Sequence, residues 1–264
     1  MSPADPKKRF SDRVEDYDKF RPHYPKEIIT LLKILGVVAP SAIADIGSGT
    51  GIFSSLLLSE GFRVFAVEPN AEMRKTAERA LSHQNHFQSI SGSAEKTELP
   101  DLSVDAIVVA QAFHWFEPHA TQREFMRILR PNGIILLLWN DRRIQETAFA
   151  QDYESLIKNF GTDYSAVNHR NITVAQIQDF LGHKDYGSRI IYNFQDLSFS
   201  GLMGRLTSSS YLPNKDDPRF HEMTKAAQAL FDRYQQNGIV RIEYDTKVYF
   251  ARKEQAVVIQ TNRP

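Results

Sequence analysis

The sequence contains no cysteine. That excludes disulfides, thiolate-bound zinc, iron–sulfur clusters and a cysteine nucleophile, and it suits a reducing compartment. An excess of charge of one sign is also missing. Lys and Arg number 32, as do Asp and Glu, in a chain of 264 residues. No global field therefore draws the chain toward nucleic acid or an anionic membrane. The longest unbroken apolar run, Ile134–Trp139, is far short of a membrane span. The first thirty residues are charged and carry no apolar signal-peptide core. The one basic cluster near a terminus, Pro6–Arg9, reads as a solvated tail. These absences lead us to expect a cytoplasmic monomer or homodimer that handles a small molecule, without nucleic acid or membrane insertion.

With 42% hydrophobic residues the chain can bury a substantial core. The stretch from Phe10 reads as an N-terminal helix stopped by Pro22 and Pro25. A second helix spaces Ile28, Leu31, Leu32 and Leu35 at helical intervals and ends at Gly36. Strands and helices then alternate. "AIADIG", "RVFAVEP", "FQSISGSAE", "VDAIVVAQAF" and "IILLLWN" read as strands. "TGIFSSLLLSEG", "NAEMRKTAERAL" with Asn70 as N-cap, and "HATQREFMRILRPNG" read as helices. Continuous apolar strands separated by amphipathic helices indicate an α/β fold with a doubly wound, mostly parallel sheet. Past Asn140 the rhythm stops. Three helical stretches ("AFAQDYESLIKNFG", "TVAQIQDFLG", "DPRFHEMTKAAQALFDRYQQNG") surround the strand candidates "RIIYNF" and "RIEYDTKVYFA". The two strands should pair antiparallel at one sheet edge, completing seven. The helices should lie over the C-terminal rim, where open α/β folds bind ligands. We therefore divide a single structural domain into an N-terminal helical cap (1–40), a cofactor-binding core (41–140) and substrate-lid helices with the last strands (141–264).

The first strand runs into "DIGSGTG", with glycines at 47, 49 and 51. Glycines at a strand-to-helix turn permit positive φ and let a ligand lie against the backbone. The spacing G-x-G-x-G departs from the dinucleotide fingerprint G-x-G-x-x-G, because Ile52 stands at the last position. Asp45 precedes the loop, where its carboxylate would repel a pyrophosphate but suit a ligand with a cationic amino acid. Glu68 closes the second strand and could accept both hydroxyl hydrogens of a ribose. Together they favour S-adenosylmethionine over NAD.

"IADIGSGTGIF", "VEPNAEMR", "SGSAEKTELPDLSVDAIVVAQAFHWF" and "LRPNGIILLLWN", with the opening "FSDRVEDYDKFRPHYP", resemble the class I S-adenosylmethionine-dependent methyltransferases. The likeness is to the small-molecule branch of methyltransferase type 11 that includes trans-aconitate methyltransferase-like proteins, and it covers about Phe10 to Asn140. The resemblance implies a seven-stranded Rossmann-like fold and S-adenosylmethionine as cofactor. It puts Asp45, Gly47, Ser48 and Gly49 around the methionine moiety and Glu68 on the ribose diol. Pro69, Asn70 and Met73 border the adenine, and Ser93, Ala94 and Glu95 read its edge. Many relatives have aspartate where Ser93 stands, which leaves the adenine amino group to the backbone of Ala94. Gln111 and Ala112 flank the cofactor, and Tyr17, Arg21 and Tyr24 close over it, Tyr24 also facing the substrate.

Several of these residues have a plainer reading. Gly51 can serve helix packing alone, Met73 can be core, and Trp115 can be structural. We assign Trp115 to the substrate wall with Tyr24 and take His114, beside the fourth strand's C-terminal end, as the candidate catalytic base. Arg142 and Arg143, just beyond the fifth strand, are the candidate clamp for an acceptor carboxylate; either can instead be a solvated helix start. No cluster has metal-ligand spacing. The expected reaction is methyl transfer to a small organic acceptor, a carboxylic acid in the first place. A quinone or polyketide acceptor, an NAD-dependent dehydrogenase and a non-catalytic cofactor binder remain as alternatives.

Overall fold

The computed structural model describes residues 14–166, 169–182 and 186–253. The basic cluster at 6–9 and the start of the first helix lie outside them. Five parallel strands form the first part of the sheet: β1 (Ala42–Ile46), β2 (Arg63–Val67), β3 (Phe87–Ile90), β4 (Val104–Ala110) and β5 (Leu129–Arg142). Two long strands, β6 (Tyr186–Leu197) and β7 (Val240–Arg252), complete it. The order is β3-β2-β1-β4-β5-β7-β6, and β7 runs antiparallel to both neighbours. The expected seven-stranded, mostly parallel sheet with an antiparallel edge is the architecture observed.

Alternation of side chains along the inner strands divides the core between two faces. Ile43 of β1, Ala106 and Val108 of β4 and Ile134, Leu136 and Leu138 of β5 enter one cluster. There they meet α2 (Glu27–Ile34) and α3 (Ile52–Ser59). Ala44, Ile46, Ile107, Val109, Ile135 and Leu137 enter the other, against α5 (Pro118–Ile128) and α7 (Val174–Leu181). α1 (Val14–Phe20) precedes these layers, and α4 (Ala71–Leu81) follows β2 with Asn70 Oδ1 accepting from the N–H groups of Glu72 and Met73. A third apolar cluster joins α6 (Ala148–Phe160), α8 (Phe199–Thr207) and α9 (Phe220–Tyr234) to the inner side of β7 through Val240, Ile242 and Tyr244. Among the described residues no helix is long and apolar enough to cross a membrane.

Three local expectations need correction. The helix read as far as Gly133 ends at Ile128; Leu129 already pairs with Val104, and the register shifts before Ile134 pairs with Ala106. Pro131 cannot extend a helix, and Asn132 turns at a φ of 63°. The third strand is only Phe87–Ile90, because Ser93 and Lys96 bridge in a tight turn. Helix α8 is short and carries two glycines, so the sequence did not announce it. Its second glycine is imposed by packing: a Cβ on Gly204 would lie 2.2 Å from the Phe20 ring at the end of α1.

Candidate active site

The strand ends, α1 with the segment after it, and the residues between β5 and β7 enclose a cavity of about 460 Å³. The glycine loop forms its floor. Gly47, Gly49 and Gly51 all have positive φ, at 71°, 58° and 87°, yet they serve different purposes. A Cβ on Gly47 would stand 2.5 Å from Ala112, and one on Gly51 would stand 2.7 Å from Leu81 in α4. Gly51 thus answers to helix packing. At Gly49 the nearest atoms would be Met73 Sδ at 3.8 Å and Tyr17 at 3.9 Å, so the loop there is open to the cavity.

Glu68 ties the loops together. Its Oε2 accepts from Gly49 N–H at 3.0 Å and its Oε1 from Asn70 N–H at 2.8 Å. Arg74 secures the same turn by donating to the carbonyls of Glu68 and Pro69. The carboxylate lies on the cavity wall, and each oxygen retains a lone pair for a further donor. Burial raises its pKa, opposed by the two backbone hydrogen bonds.

Asp45 takes a different position from the one expected. It is fully buried beneath the loop and absent from the wall; Ser54 Oγ donates to Oδ2 at 2.6 Å and Oδ1 has no partner. Burial, joined by the charge of Glu68 and opposed by the Ser54 hydrogen bonds, pushes it up to about 7. Ser48 is likewise off the wall, its N–H donated to Val67.

The remaining core candidates converge. Pro69, Asn70, Met73, Ser93, Ala94, Glu95, Gln111 and Ala112 all reach the cavity, as do Tyr17, Arg21 and Tyr24. Glu95 accepts from Glu117 N–H at 3.0 Å. Gln111 leaves β4 at a φ of 60°, a conformation rare for a side-chain-bearing residue. The Arg21 guanidinium stacks 4.7 Å over the Tyr17 ring and donates to Ser208 O at 2.8 Å.

His114 and Trp115 belong to a single 3₁₀ turn, Phe113–Trp115, and both line the cavity. His114 Nδ1 is buried without a partner, and its ring centre is 6.2 Å from that of His169. Burial, with help from His169 and Arg21, pushes its pKa down to about 3. A ring so hard to protonate is a neutral hydrogen-bonding group and a poor proton acceptor, which counts against the general-base role.

The arginine clamp is also corrected. Arg142 reaches the cavity, but its Nη2 already binds Glu154 Oε2 at 2.5 Å and Tyr164 at 2.9 Å. Arg143 is off the wall, its Nε paired with Asp245 at 2.8 Å.

Sequence reasoning passed over part of the wall: Asp141, Tyr164, His169, Arg170, Arg205, Ser210 and Tyr211. Asp141 accepts from Arg170 Nε at 2.6 Å and Lys247 Nζ at 2.7 Å. It stands inside the same "WNDRR" whose arginines drew attention, so a signal existed for it. Arg205 had none, because α8 itself was not read.

A sheet of this order, with a glycine loop after β1 and an acid after β2, is the Rossmann-like fold of methyltransferases. Comparison with known proteins agrees. A family profile described as methyltransferase domain matches residues 44–137. An uncharacterised methyltransferase of Mycobacterium tuberculosis is 39% identical over 133 residues, which is 50% of this chain and 52% of that protein. The chain thus spans about half the length of that relative. An uncharacterised methyltransferase-like protein of Schizosaccharomyces pombe is 26% identical over 257 residues, covering 94% of this chain and 97% of its own. Among solved structures, a type II methyltransferase candidate from Anaeromyxobacter dehalogenans superposes with a TM-score of 0.62 at 21% identity, over 90% of this chain and all of its own. Residues 44–137 are therefore similar in sequence to a methyltransferase domain, and the fold around them is that of methyltransferases.

Proposed function

We propose that this chain transfers the methyl group of S-adenosylmethionine to a small organic acceptor. The observation that carries this reading is Glu68, held by Gly49 and Asn70 on the wall of an enclosed cavity. Its fixed carboxylate is suited to a ribose diol, and Gly49 leaves room for a ligand where a side chain would stand. Two carboxyl groups under one glycine loop disfavour a pyrophosphate, and with it the dehydrogenase alternative. Ser93, Ala94, Glu95 and Met73 supply the adenine end, while Tyr17 and Arg21 cover the methionine end. S-adenosylmethionine brings an activated methyl group whose leaving group is a neutral thioether.

The task left to the chain is alignment and exclusion of water, and near-attack positioning alone can lower a barrier by roughly 7–11 kcal/mol. In this reading the segments around Tyr164, His169 and Arg205, which line the cavity, serve as the substrate lid. The acceptor is best read as a carboxylic acid that becomes a methyl ester. A carboxylate is ionised at neutral pH and needs no base, which accords with a His114 that resists protonation. On the wall, Arg21 and Arg205 have no carboxylate partner among the described residues, whereas Arg142 is paired with Glu154 and Arg170 with Asp141; two uncompensated guanidinium groups favour an anion over a neutral quinone or polyketide.

The test has two stages. Calorimetry should show S-adenosylmethionine or S-adenosylhomocysteine binding much more tightly than NAD. A donor-consumption screen over small acids, phenols and amines should then form S-adenosylhomocysteine with acids. Binding without turnover on any acceptor would instead make the chain a non-catalytic binder.

A further inference from the structure

The wall contributed by α8 presents a charge problem. Arg205 is 5% exposed and faces the cavity. Its Nη1 donates to Ser209 Oγ at 3.1 Å, and its Nε is buried with no partner among the described residues. Arg21 approaches the same place from just past α1, donating to Ser208 O, and its Nε is likewise buried without a partner among the described residues. Among the described residues no carboxylate pairs with either guanidinium. Burial, and next the charge of Arg205, lower the pKa of Arg21, so the two cations are near enough to repel. Arg142 is a third, with its own charge met by Glu154. Tyr211 reports the convergence: burial pushes its hydroxyl up, but Arg142, Arg205 and Arg21 together hold it below its ordinary value.

A buried cation without a counter-charge costs several kcal/mol unless something in the site compensates it. The neighbouring contacts of α8 within the third cluster, through Leu202 and Leu206, are apolar and supply no counter-charge. The Arg21 and Arg205 side chains both line the cavity that the methyl acceptor enters under the function proposed above, on which this inference rests.

We propose that Arg205, with Arg21 beside it, anchors an anionic group of the acceptor that is not the atom methylated. A carboxylate or phosphate clamped by a guanidinium has its lone pairs engaged in charge-assisted hydrogen bonds, which makes it a weak nucleophile. The anchored group therefore orients the acceptor while another atom takes the methyl. The site takes a small organic acid or phosphate ester, and Ser210 and Tyr211 supply neutral donors around the anion.

The test is titration calorimetry on the whole chain saturated with S-adenosylhomocysteine, using succinate and inorganic phosphate as separate probes. We expect at least one probe to bind. In Arg205→Gln its Kd should rise at least tenfold, with a smaller rise in Arg205→Lys, which keeps the charge. Affinity for S-adenosylhomocysteine should stay within twofold in both variants, which also shows that they fold. The tighter of the two probes identifies the anchored group as carboxylate or phosphate. Failure of both probes to bind the unaltered chain, or equal binding by Arg205→Gln, would overturn the proposal. So would a loss of S-adenosylhomocysteine affinity in step with the loss of anion affinity, which would give Arg205 to the donor. An unaltered chain that binds no S-adenosylhomocysteine sinks the methyltransferase reading instead, a separate outcome.

Discussion

Gly204 on α8 lies directly beneath the Phe20 ring of α1, so close that a Cβ there would be 2.2 Å from the ring carbons. This contact sets how near α1 comes to α8, and α1 with the turn after it carries Tyr17 and Arg21 to the cavity. Overpacking of this kind costs about 1–3 kcal/mol. Gly204→Ala should lower the thermal midpoint and weaken S-adenosylhomocysteine binding. In a Phe20→Ala background the added methyl should cost nothing further, and a double-mutant cycle by urea titration checks the coupling.

Arg142 and Arg143 should behave differently despite their adjacency. Arg142→Met removes the close cationic partner of Glu154, 8% exposed, leaving it only Tyr164 and a 4.0 Å contact with Lys158, a loss of up to about 3–5 kcal/mol by analogy with broken buried pairs. The double change with Glu154→Gln should recover most of that. Arg143→Ala, at a solvent-screened pair with Asp245, should leave the urea midpoint close to that of the unaltered chain. Equal losses from the two single changes would contradict this account.

Removing the Glu68 carboxylate leaves two backbone N–H groups without their acceptors as well as any bound diol. Glu68→Ala should therefore weaken S-adenosylhomocysteine binding by about 1–3 kcal/mol, roughly fivefold to 150-fold. Calorimetry showing unchanged affinity would remove Glu68 from the ribose.

Asp45 and His114 oppose each other in acid. The folded Asp45 titrates near 7 against about 3.9 unfolded. Its contribution is complete below the unfolded value and is lost as pH rises toward 7. The folded His114 titrates near 3 against about 6.5 unfolded. Its contribution is complete above the unfolded value and is lost as pH falls toward 3. Between about pH 4 and 6.5 each group bends stability by about 1.4 kcal/mol per unit in opposite senses, so they nearly cancel. Urea midpoints should rise with pH across this window in Asp45→Asn and fall with pH in His114→Gln. The same slope in both variants would show that at least one assignment is wrong.

The core was legible from sequence because its signals are local. Apolar runs of β1, β4 and β5 alternate between two faces, Asn70 caps α4, and the glycines mark a turn that backbone sterics require. Glu68 was legible for the same reason, as an acid at a strand end. Partners brought from a distance were not. Arg142 meets Glu154 and Arg143 meets Asp245, and no spacing in "WNDRR" tells which of the two faces the cavity. The low pKa of His114 depends on burial and on His169, 55 residues further on. Arg205 was hidden by a helix whose Gly204 answers to Phe20 rather than to helix propensity.

The strand order has a consequence for how such a protein can change. The chain leaves β5 after Arg142 and returns beside it only with β7 from Val240, laying down β6 at the sheet edge on the way, and Arg142 sits directly opposite Tyr244 in the β5–β7 ladder. Everything between is one excursion whose two ends are neighbours. Closing a longer or shorter excursion between such ends costs little, because closure entropy grows only with the logarithm of length. The half of the molecule that holds Glu68 and the glycine loop has no covalent stake in that excursion beyond those ends. Residues such as Tyr164, Arg205 and Tyr211 can thus be exchanged, inserted or deleted in blocks. Swapping the excursion between relatives is a route to new acceptors wherever the Gly204–Phe20 contact that seats α1 is kept.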